Sequence, residues 1–139
     1  MGKIEHNVTR DLVSLDGSTP CREAARLMAD KKIGAVGVKR GGKTIGLVTE
    51  RDLVAQVIAP GKSCEVPIAE LMRHDLPTVG PDASEFEVSD LMRDNYTRHL
   101  LVVQGGNVIG IISMRDVIRQ MLSEKQFLID QLEVYISGR

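Results

Sequence analysis

The sequence lacks tryptophan, and aromatic residues make up only 3 % of its 139 positions, so the core must be packed from Val, Ile, Leu and Met. It has two cysteines, Cys21 and Cys64, too few and too badly spaced for a disulfide scaffold or a zinc site. Its 18 basic and 19 acidic residues leave a net charge of −1. We therefore expect both cysteines to be reduced thiols. We also expect no binding to nucleic acid, because the charge balance gives no basic patch.

Long hydrophobic runs are also missing. No apolar stretch approaches the ~20 residues that span a bilayer, and the first six residues are too polar for a signal peptide. We expect a cytoplasmic protein with no membrane contact. His6 and His74 have no partners at metal-ligand spacing, so we expect no metal site and no required cofactor. No phosphate-binding loop of the Walker type occurs.

An internal repeat is present instead. Residues 24–59 align without a gap with residues 88–123, and eleven of the 36 pairs are identical, where chance gives roughly two or three. The identities include the glycine pairs Gly41-Gly42 and Gly105-Gly106, which are typical of two-residue hairpin turns. Two homologous halves follow from this alignment.

Each half is predicted to be β-α-β-β-α, a mixed α/β (α+β) fold. Ser18 and Asp82 are predicted to cap the first helix of each half, and Glu50 and Met114 to begin the second helix. The predicted division is 1–61, 62–123 and a helical extension, 124–139, with a linker beginning at residue 59. The runs that predict strands are residues 13–15, 35–39, 44–48, 78–79, 100–104 and 108–112.

The second hairpin strand of each half ends in the same motif. Residues 46–52 read Gly-Leu-Val-Thr-Glu-Arg-Asp and residues 110–116 read Gly-Ile-Ile-Ser-Met-Arg-Asp. The chain resembles, over residues 8–122, a tandem pair of cystathionine-β-synthase-type (CBS) domains. The resemblance implies two repeats packed with pseudo-two-fold symmetry around two clefts. It also implies a regulatory ligand that contains adenosine: AMP, ADP, ATP, NAD(H) or S-adenosylmethionine.

Side chains of the motif suit such a ligand. Thr49 and Ser113 stand where a strand gives way to a helix, and the helix amides there can hold a phosphate. Asp52 and Asp116 can accept hydrogen bonds from two ribose hydroxyls. An alternative is open, because Thr-x-x-Asp and Ser-x-x-Asp are also capping boxes with a purely structural role.

Further candidates flank the motif. Arg51 and Arg115 can bind phosphate, and Gly46 and Gly110 let a ligand or another backbone approach the strand. Arg98 and His99 precede a strand from which members of the resembled family reach phosphates, although both can equally be solvent-facing. Their equivalents are Gly34 and Ala35, so the two clefts are chemically unequal. Ser14 and Thr78, near the first strands, complete the set of ligand-binding candidates.

The C-terminal segment is the departure from a bare pair of repeats. Beyond Ser123 the last helix is predicted to continue to about Ser137. Apolar residues there follow a three-four spacing that favours a coiled-coil seam and a homodimer, or else a helix that folds back on its own repeats. The positions are Ile118, Met121 or Leu122, Lys125, Leu128 or Ile129, Leu132, and Tyr135 or Ile136.

The predicted function is that of a non-catalytic sensor, which binds an adenosyl ligand and passes its state to a partner protein. The alternative is a ligand-free module for dimerisation. An enzyme is disfavoured, because the sequence offers no nucleophile, base or metal set around Asp52 and Asp116, and so no catalytic residue.

Overall fold

The computed structural model describes residues 2–137. Its order confirms a mixed α/β fold with two repeats and a long C-terminal helix. The strands are β1 (Ser14–Asp16), β2 (Ala35–Arg40), β3 (Lys43–Thr49), β4 (His99–Gln104) and β5 (Asn107–Ser113). The α-helices are α1 (Cys21–Lys31), α2 (Glu50–Leu53), α3 (Glu85–Asp94) and α4 (Met114–Ser137), with 3₁₀ turns at Ile4–Asn7 and Ile68–Glu70 and a π-helical turn at Val54–Ile58.

Both predicted hairpins are confirmed. Gly41 and Gly42 have φ angles of 58° and 79°, and Gly105 and Gly106 repeat those values. Positive φ at both turn positions is the requirement of a type I′ turn, which glycine meets without steric cost. The antiparallel pairs β2–β3 and β4–β5 that these turns join form the body of each sheet.

The short first strand of each repeat runs parallel to the hairpin. β1 pairs with β2, so the first sheet has the order β1-β2-β3. Its counterpart in the second repeat, expected at residues 78–79, is reduced to a single parallel bridge between Val79 and Val102. The hydrogen bond from Val79 N to Leu101 O, 3.1 Å long, keeps the same position beside β4.

Helix starts are partly as predicted. α2 and α4 begin at Glu50 and Met114, as expected. The predicted caps of the earlier helices are wrong. Ser18 donates to Asp16 Oδ1 in a local turn, and α3 is capped by Ser84, whose hydroxyl accepts the Glu87 amide, instead of by Asp82. Short polar side chains also form local hydrogen bonds with nearby backbone or carboxylate groups, and one that does so is not available to cap the helix.

The chain forms two compact units, Arg10–Pro77 and Met1–Thr9 with Thr78–Arg139. The division predicted from the sequence follows the repeats, whereas these units follow packing. Ile4 lies fully buried among Val79, Val88 and the other core residues of the second repeat, and Ile68, 64 residues later, is fully buried in the core of the first. The segment leading into each repeat therefore completes the core of the other.

α4 continues well beyond its packed region. Val117 and Gln120 are buried and Met121 is half-buried, but every residue from 125 to 137 is exposed. The alternative in which this segment folds back on its own repeats is therefore wrong. The continuous helix predicted to about Ser137 is confirmed.

A buried carboxyl group begins α3. Glu85 is only 3 % exposed, and its Oε2 atom has no hydrogen-bond partner within residues 2–137. Burial raises the pKa of Glu85, and the neighbouring Glu124 of α4 raises this pKa further through a hydrogen bond and through its charge. The folded protein therefore holds this proton to higher pH than the unfolded chain, and the free energy of unfolding falls as pH rises through the raised pKa.

We expect Glu85→Gln to raise the free energy of unfolding at pH 7 by about 1 kcal/mol, because an amide is neutral at every pH and avoids the cost that burial beside Glu124 imposes on the carboxyl group. Urea unfolding measured from pH 4 to pH 8 should show the gain growing above about pH 4.3, the ordinary Glu value. Glu87→Gln, at an exposed position of the same helix, is the control and should change little. A Glu85→Gln variant less stable than wild type throughout would contradict the argument.

Candidate functional site

The two copies of the motif form the same hydrogen-bonded cap. In the second repeat, Ser113 N and Ser113 Oγ both donate to Asp116 Oδ2 at 2.9 Å, and Asp116 N donates to Ser113 Oγ at 3.2 Å. In the first, Thr49 N and Oγ1 donate to Asp52 Oδ2 at 2.8 and 3.1 Å, and Asp52 N donates back at 3.3 Å. Capping boxes are thus present in both repeats, and each uses a single oxygen of its aspartate.

The amides at these helix starts are largely committed to the protein. Met114 N donates to Arg98 O at 2.8 Å, and Glu50 N donates to Gly34 O at 3.0 Å. The amides of Asp52 and Asp116 bind the capping hydroxyls. The phosphate cradle of helix amides predicted from the sequence is therefore wrong for these donors.

The two aspartates differ in accessibility. Asp52 is 5 % exposed, whereas Asp116 is half-buried, with its Oδ1 3.9 Å from Arg119 Nη1. Burial raises the pKa of Asp52, although hydrogen bonds from Thr49 and the charges of Arg73 and Arg51 oppose the rise. Asp116 is the better placed of the two to accept hydrogen bonds from a ligand.

Arg73 is a charged neighbour that the sequence analysis missed. It belongs to the segment that leads into the second repeat, yet it packs in the unit of the first, where its Nε donates to Asp75 Oδ1 at 3.1 Å. No motif marks it. Its charge acts to lower the pKa of Asp52 because the segment before the second repeat packs in the unit of the first. An alignment of the repeats alone does not reveal this packing.

The structure brings the basic candidates of the second repeat next to its motif. His99 pairs with Ser113 in the β4–β5 ladder, and the carbonyl of Arg98 accepts from the first residue of α4. The side chains of Arg98 and Arg115 are exposed, and His99 is half-buried. In the first repeat Ala35 pairs with Thr49, at the place that His99 takes in the second. Among the motif residues and their strand partners there, only Arg51 carries a positive charge.

Ser14 and Thr78 lie at equivalent places in the two repeats. Ser14 pairs with Gly37, two residues along β2 from the Ala35–Thr49 pair, and its hydroxyl donates to Leu12 O at 3.2 Å. Thr78 is exposed and directly precedes the residue that bridges to β4. Both residues therefore lie one strand away from the strand that carries the motif.

The two motif glycines serve packing. A Cβ at Gly110 would overlap the Thr9 carbonyl oxygen and come within 2.6 Å of Val8 Cγ1. A Cβ at Gly46 would meet Met72 Sδ at 2.7 Å. Another backbone approaches the strand at Gly110, since Thr9 N donates to Ile111 O at 2.9 Å, whereas the neighbour of Gly46 is a side chain.

Other reactive groups are sparse within residues 2–137. There, no three His, Cys, Asp or Glu side chains come together as metal ligands. His6 and His74 are exposed. None of the helices in this range combines the length and the apolar character that a bilayer span needs. The chemistry on offer is thus a carboxylate oxygen for hydroxyl groups and exposed guanidinium groups for phosphates.

Comparison with known proteins gives one consistent result. The family model "CBS domain" matches residues 3–59 and 68–123. The CBS domain-containing protein YhcV of Bacillus subtilis is 29 % identical over 125 residues, which cover 89 % of each chain. The structure of a protein with CBS domains from Burkholderia ambifaria has a TM-score of 0.77, at 33 % identity over 82 % of this chain and 85 % of that one.

A second solved structure bears on assembly. It is the hexameric CBS-CP12 protein from bloom-forming cyanobacteria, with a TM-score of 0.74 and 28 % identity over 85 % of this chain and 70 % of that one. Both halves of the present chain therefore match one domain family, at the two places where the internal repeat lies.

Proposed function

Because the chain belongs to the CBS-domain family, whose domains are regulatory ligand-binding modules, we propose that it binds an adenosine-containing molecule and passes that state to a partner protein. The ligand class comprises AMP, ADP, ATP, NAD(H) and S-adenosylmethionine. The module acts by binding, without catalysis. It works in the cytoplasm and as a self-associating protein.

The observation that carries this proposal is the doubled cap. In each repeat it fixes an aspartate through Oδ2 and directs the carboxylate rigidly, while Oδ1 takes no part in the cap. A ribose presents two neighbouring hydroxyl donors, and a carboxylate is an acceptor-only group that suits them. An arginine precedes each aspartate, at positions 51 and 115, and provides a bidentate donor for phosphate.

The second repeat is the stronger site in this proposal. It has the more accessible aspartate, Asp116, and three basic residues near it, Arg98, His99 and Arg115. The first repeat has a buried aspartate and the uncharged pair Gly34-Ala35. Titration calorimetry should therefore resolve unequal sites for a phosphate-bearing ligand, and two equal independent sites would contradict this asymmetry.

Thermal unfolding tests the ligand class. We expect at least one of the five ligands, at 100 times its Kd, to stabilise the folded protein by ~2.7 kcal/mol and so to raise the Tm by about 10 °C. Each ligand is added at millimolar concentration, with inorganic phosphate and adenine as separate controls. No rise with any of the five would overturn the proposal.

Asp116→Asn and Asp52→Asn are a matched pair for locating the site. Asparagine still accepts from the backbone amide through its side-chain oxygen, so both variants keep a cap. We expect Asp116→Asn to weaken ligand binding about 10-fold or more, since a charged acceptor is lost, and Asp52→Asn to weaken it less. Circular dichroism checks folding, and equal affinity in all three proteins would exclude the aspartates as ligand contacts.

A ligand-free structural module is the second candidate. The observation that favours it is that both capping hydroxyls and both Oδ2 atoms are already engaged within the protein. Under this alternative no ligand changes the Tm while self-association stays intact. An enzyme would instead consume the ligand, which chromatography of the incubated nucleotide detects.

Self-association through the exposed part of α4 belongs to the same proposal. Residues 125–137 leave many large apolar side chains in water, an exposed patch of the kind that marks protein interfaces. The hexameric CBS-CP12 structure supports assembly as a property of related chains. The repeats already have complete cores, so these side chains are not needed to fold them.

A further inference from the structure

The structure distinguishes between the alternative positions that the sequence allowed for an apolar seam along α4. Met121 is half-buried against the core of its own unit, and α4 turns Val117 and Gln120 to the same side. On the neighbouring face, exposed residues recur at intervals of four, three, four, three and four. We call them the α4 seam: Ile118, Leu122, Lys125, Ile129, Leu132 and Ile136.

The α4 seam has the geometry of a coiled coil. Its five apolar members are between 40 and 62 % exposed, and the alternating spacing of three and four is that of a and d positions in a heptad repeat. Leu122, Ile129 and Ile136 take the a positions, and Ile118, Lys125 and Leu132 take the d positions. The seam spans 18 helical steps, or about 27 Å.

We propose that α4 pairs with α4 of a second copy in antiparallel orientation, centred on residue 127. The inference rests on the proposed self-association through α4 and adds its direction and register. In this register Leu122 lies opposite Leu132 of the second copy, Lys125 opposite Ile129, and Ile118 opposite Ile136. Every a residue then meets a d residue.

Lys125 argues for this direction. In a parallel pair of the same register, the two copies of Lys125 occupy one d layer and place two ammonium groups side by side in the interface. The antiparallel register separates them into two layers, each with one isoleucine. A long lysine stem can then cover apolar surface and carry its charge to water.

The residues that flank the seam also fit the antiparallel direction. The e positions are Arg119, Gln126 and Glu133, and across an antiparallel pair they meet one another, so that Arg119 lies opposite Glu133 and Gln126 opposite itself. The two charged e positions are therefore complementary at both ends of the pair.

The g positions complete the pattern. They are Met121, Leu128 and Tyr135, and in the antiparallel pair Met121 meets Tyr135 and Leu128 meets itself. In a parallel pair g positions face e positions, which would set Leu128 against Glu133 and leave Arg119 without an acidic partner. Apolar and charged flanks match only when the helices run in opposite directions.

Single cysteines test direction and register. The background is Cys64→Ser, which removes the exposed native thiol and leaves the buried Cys21. Leu122→Cys and Leu132→Cys are made separately in the full chain, and each protein is oxidised alone and as an equimolar mixture. We expect a disulfide-linked dimer only in the mixture, because position 122 faces position 132 and lies about 15 Å along the axis from its own copy.

The outcomes separate the two proposals. Homodimeric disulfides from each protein alone would show a parallel pair and overturn the direction, while self-association stands. Sedimentation to a dimer without any cross-link would place the interface elsewhere. A monomer at all concentrations would overturn self-association and, with it, this inference.

Charge reversal gives an independent readout. Arg119→Glu or Glu133→Arg alone should weaken dimerisation about 5-fold or more, and the double variant should restore it. Arg119 also lies 3.9 Å from Asp116, so the variants are compared by sedimentation and not by ligand binding. Failure of the double variant to recover would overturn the proposed e–e pairing.

Discussion

A chain that ends at Ser123 is expected to be a folded monomer, with self-association weakened at least 1000-fold relative to the full chain. The truncation removes Lys125, Ile129, Leu132 and Ile136 from the α4 seam. Burial of one Ile or Leu side chain contributes roughly 1.5–3 kcal/mol before the cost of association, so the loss of three per copy far exceeds the ~4 kcal/mol that a 1000-fold change requires.

Folding should survive this truncation, because the packed part of α4 remains. Val117, Gln120 and Met121 stay in place, and the removed residues from 125 onward are exposed. The truncation also removes Glu124, and with it the hydrogen bond and the charge that add to burial in raising the pKa of Glu85. Sedimentation velocity over a range of concentrations, together with circular dichroism, measures both properties.

Leu132→Asp and Val134→Asp sharpen the test within the full chain. Both residues are exposed apolar positions of α4, but only Leu132 lies in the seam, whereas Val134 lies on the opposite side of the helix. We expect Leu132→Asp to dissociate the protein and Val134→Asp to leave it associated. If both variants associate like wild type, the interface is not the α4 seam.

Gly110→Ala is expected to lower the free energy of unfolding by about 3 kcal/mol, whereas Gly46→Ala should cost about 1 kcal/mol. A methyl group at position 110 meets the backbone carbonyl of Thr9, which accepts from Ile111 N at 3.0 Å, while Thr9 N donates to Ile111 O at 2.9 Å, so this backbone cannot move freely. At position 46 the obstacle is the sulfur of Met72, near the end of a flexible side chain. The same motif glycine thus has different costs in the two repeats.

Urea unfolding of both glycine variants measures this difference. Ligand titration of the Gly46→Ala variant, which should remain folded, separates packing from recognition. If a ligand approached this strand directly, Gly46→Ala would reduce affinity with stability unchanged, and that result would contradict the packing role. Equal stability losses at the two positions would contradict the distinction between backbone and side-chain obstacles.

The fold was predictable where local signals are strong and repeated. The glycine pairs determine the turn type, so both hairpins follow from the sequence, and Thr49 and Ser113 locate the start of the next helix through their capping boxes. Weak signals gave wrong caps at Ser18 and Asp82. Several short polar side chains stand together before α1 and α3, and sequence order does not decide which of them reaches a helix amide.

The candidate site was predictable in its side chains but not in its backbone. The pairing of Asp with Thr or Ser depends on spacing within one turn. The amides of Glu50 and Met114 are not free for a phosphate, because they donate to the carbonyls of Gly34 and Arg98. These two residues precede another strand and carry no sequence signal for such a contact. For the same reason Arg73, brought near Asp52 by tertiary packing, could not be identified from the motif.

The segments around Ile4 and Ile68 each pack in the core of the other repeat, and this determines the order in which the cores can form during synthesis. During synthesis the segment around Ile4 is made before the residues that bury it, which lie between Val79 and Val117. The first repeat in turn waits for Ile68, which is translated only after the linker. The core of the first repeat can close while the second repeat is still being made, whereas the segment around Ile4 can dock only after the second repeat has been made. Neither repeat therefore contains all of its own core residues. If the chain were divided at the linker, the first half would lack Ile68 and the second half would lack Ile4.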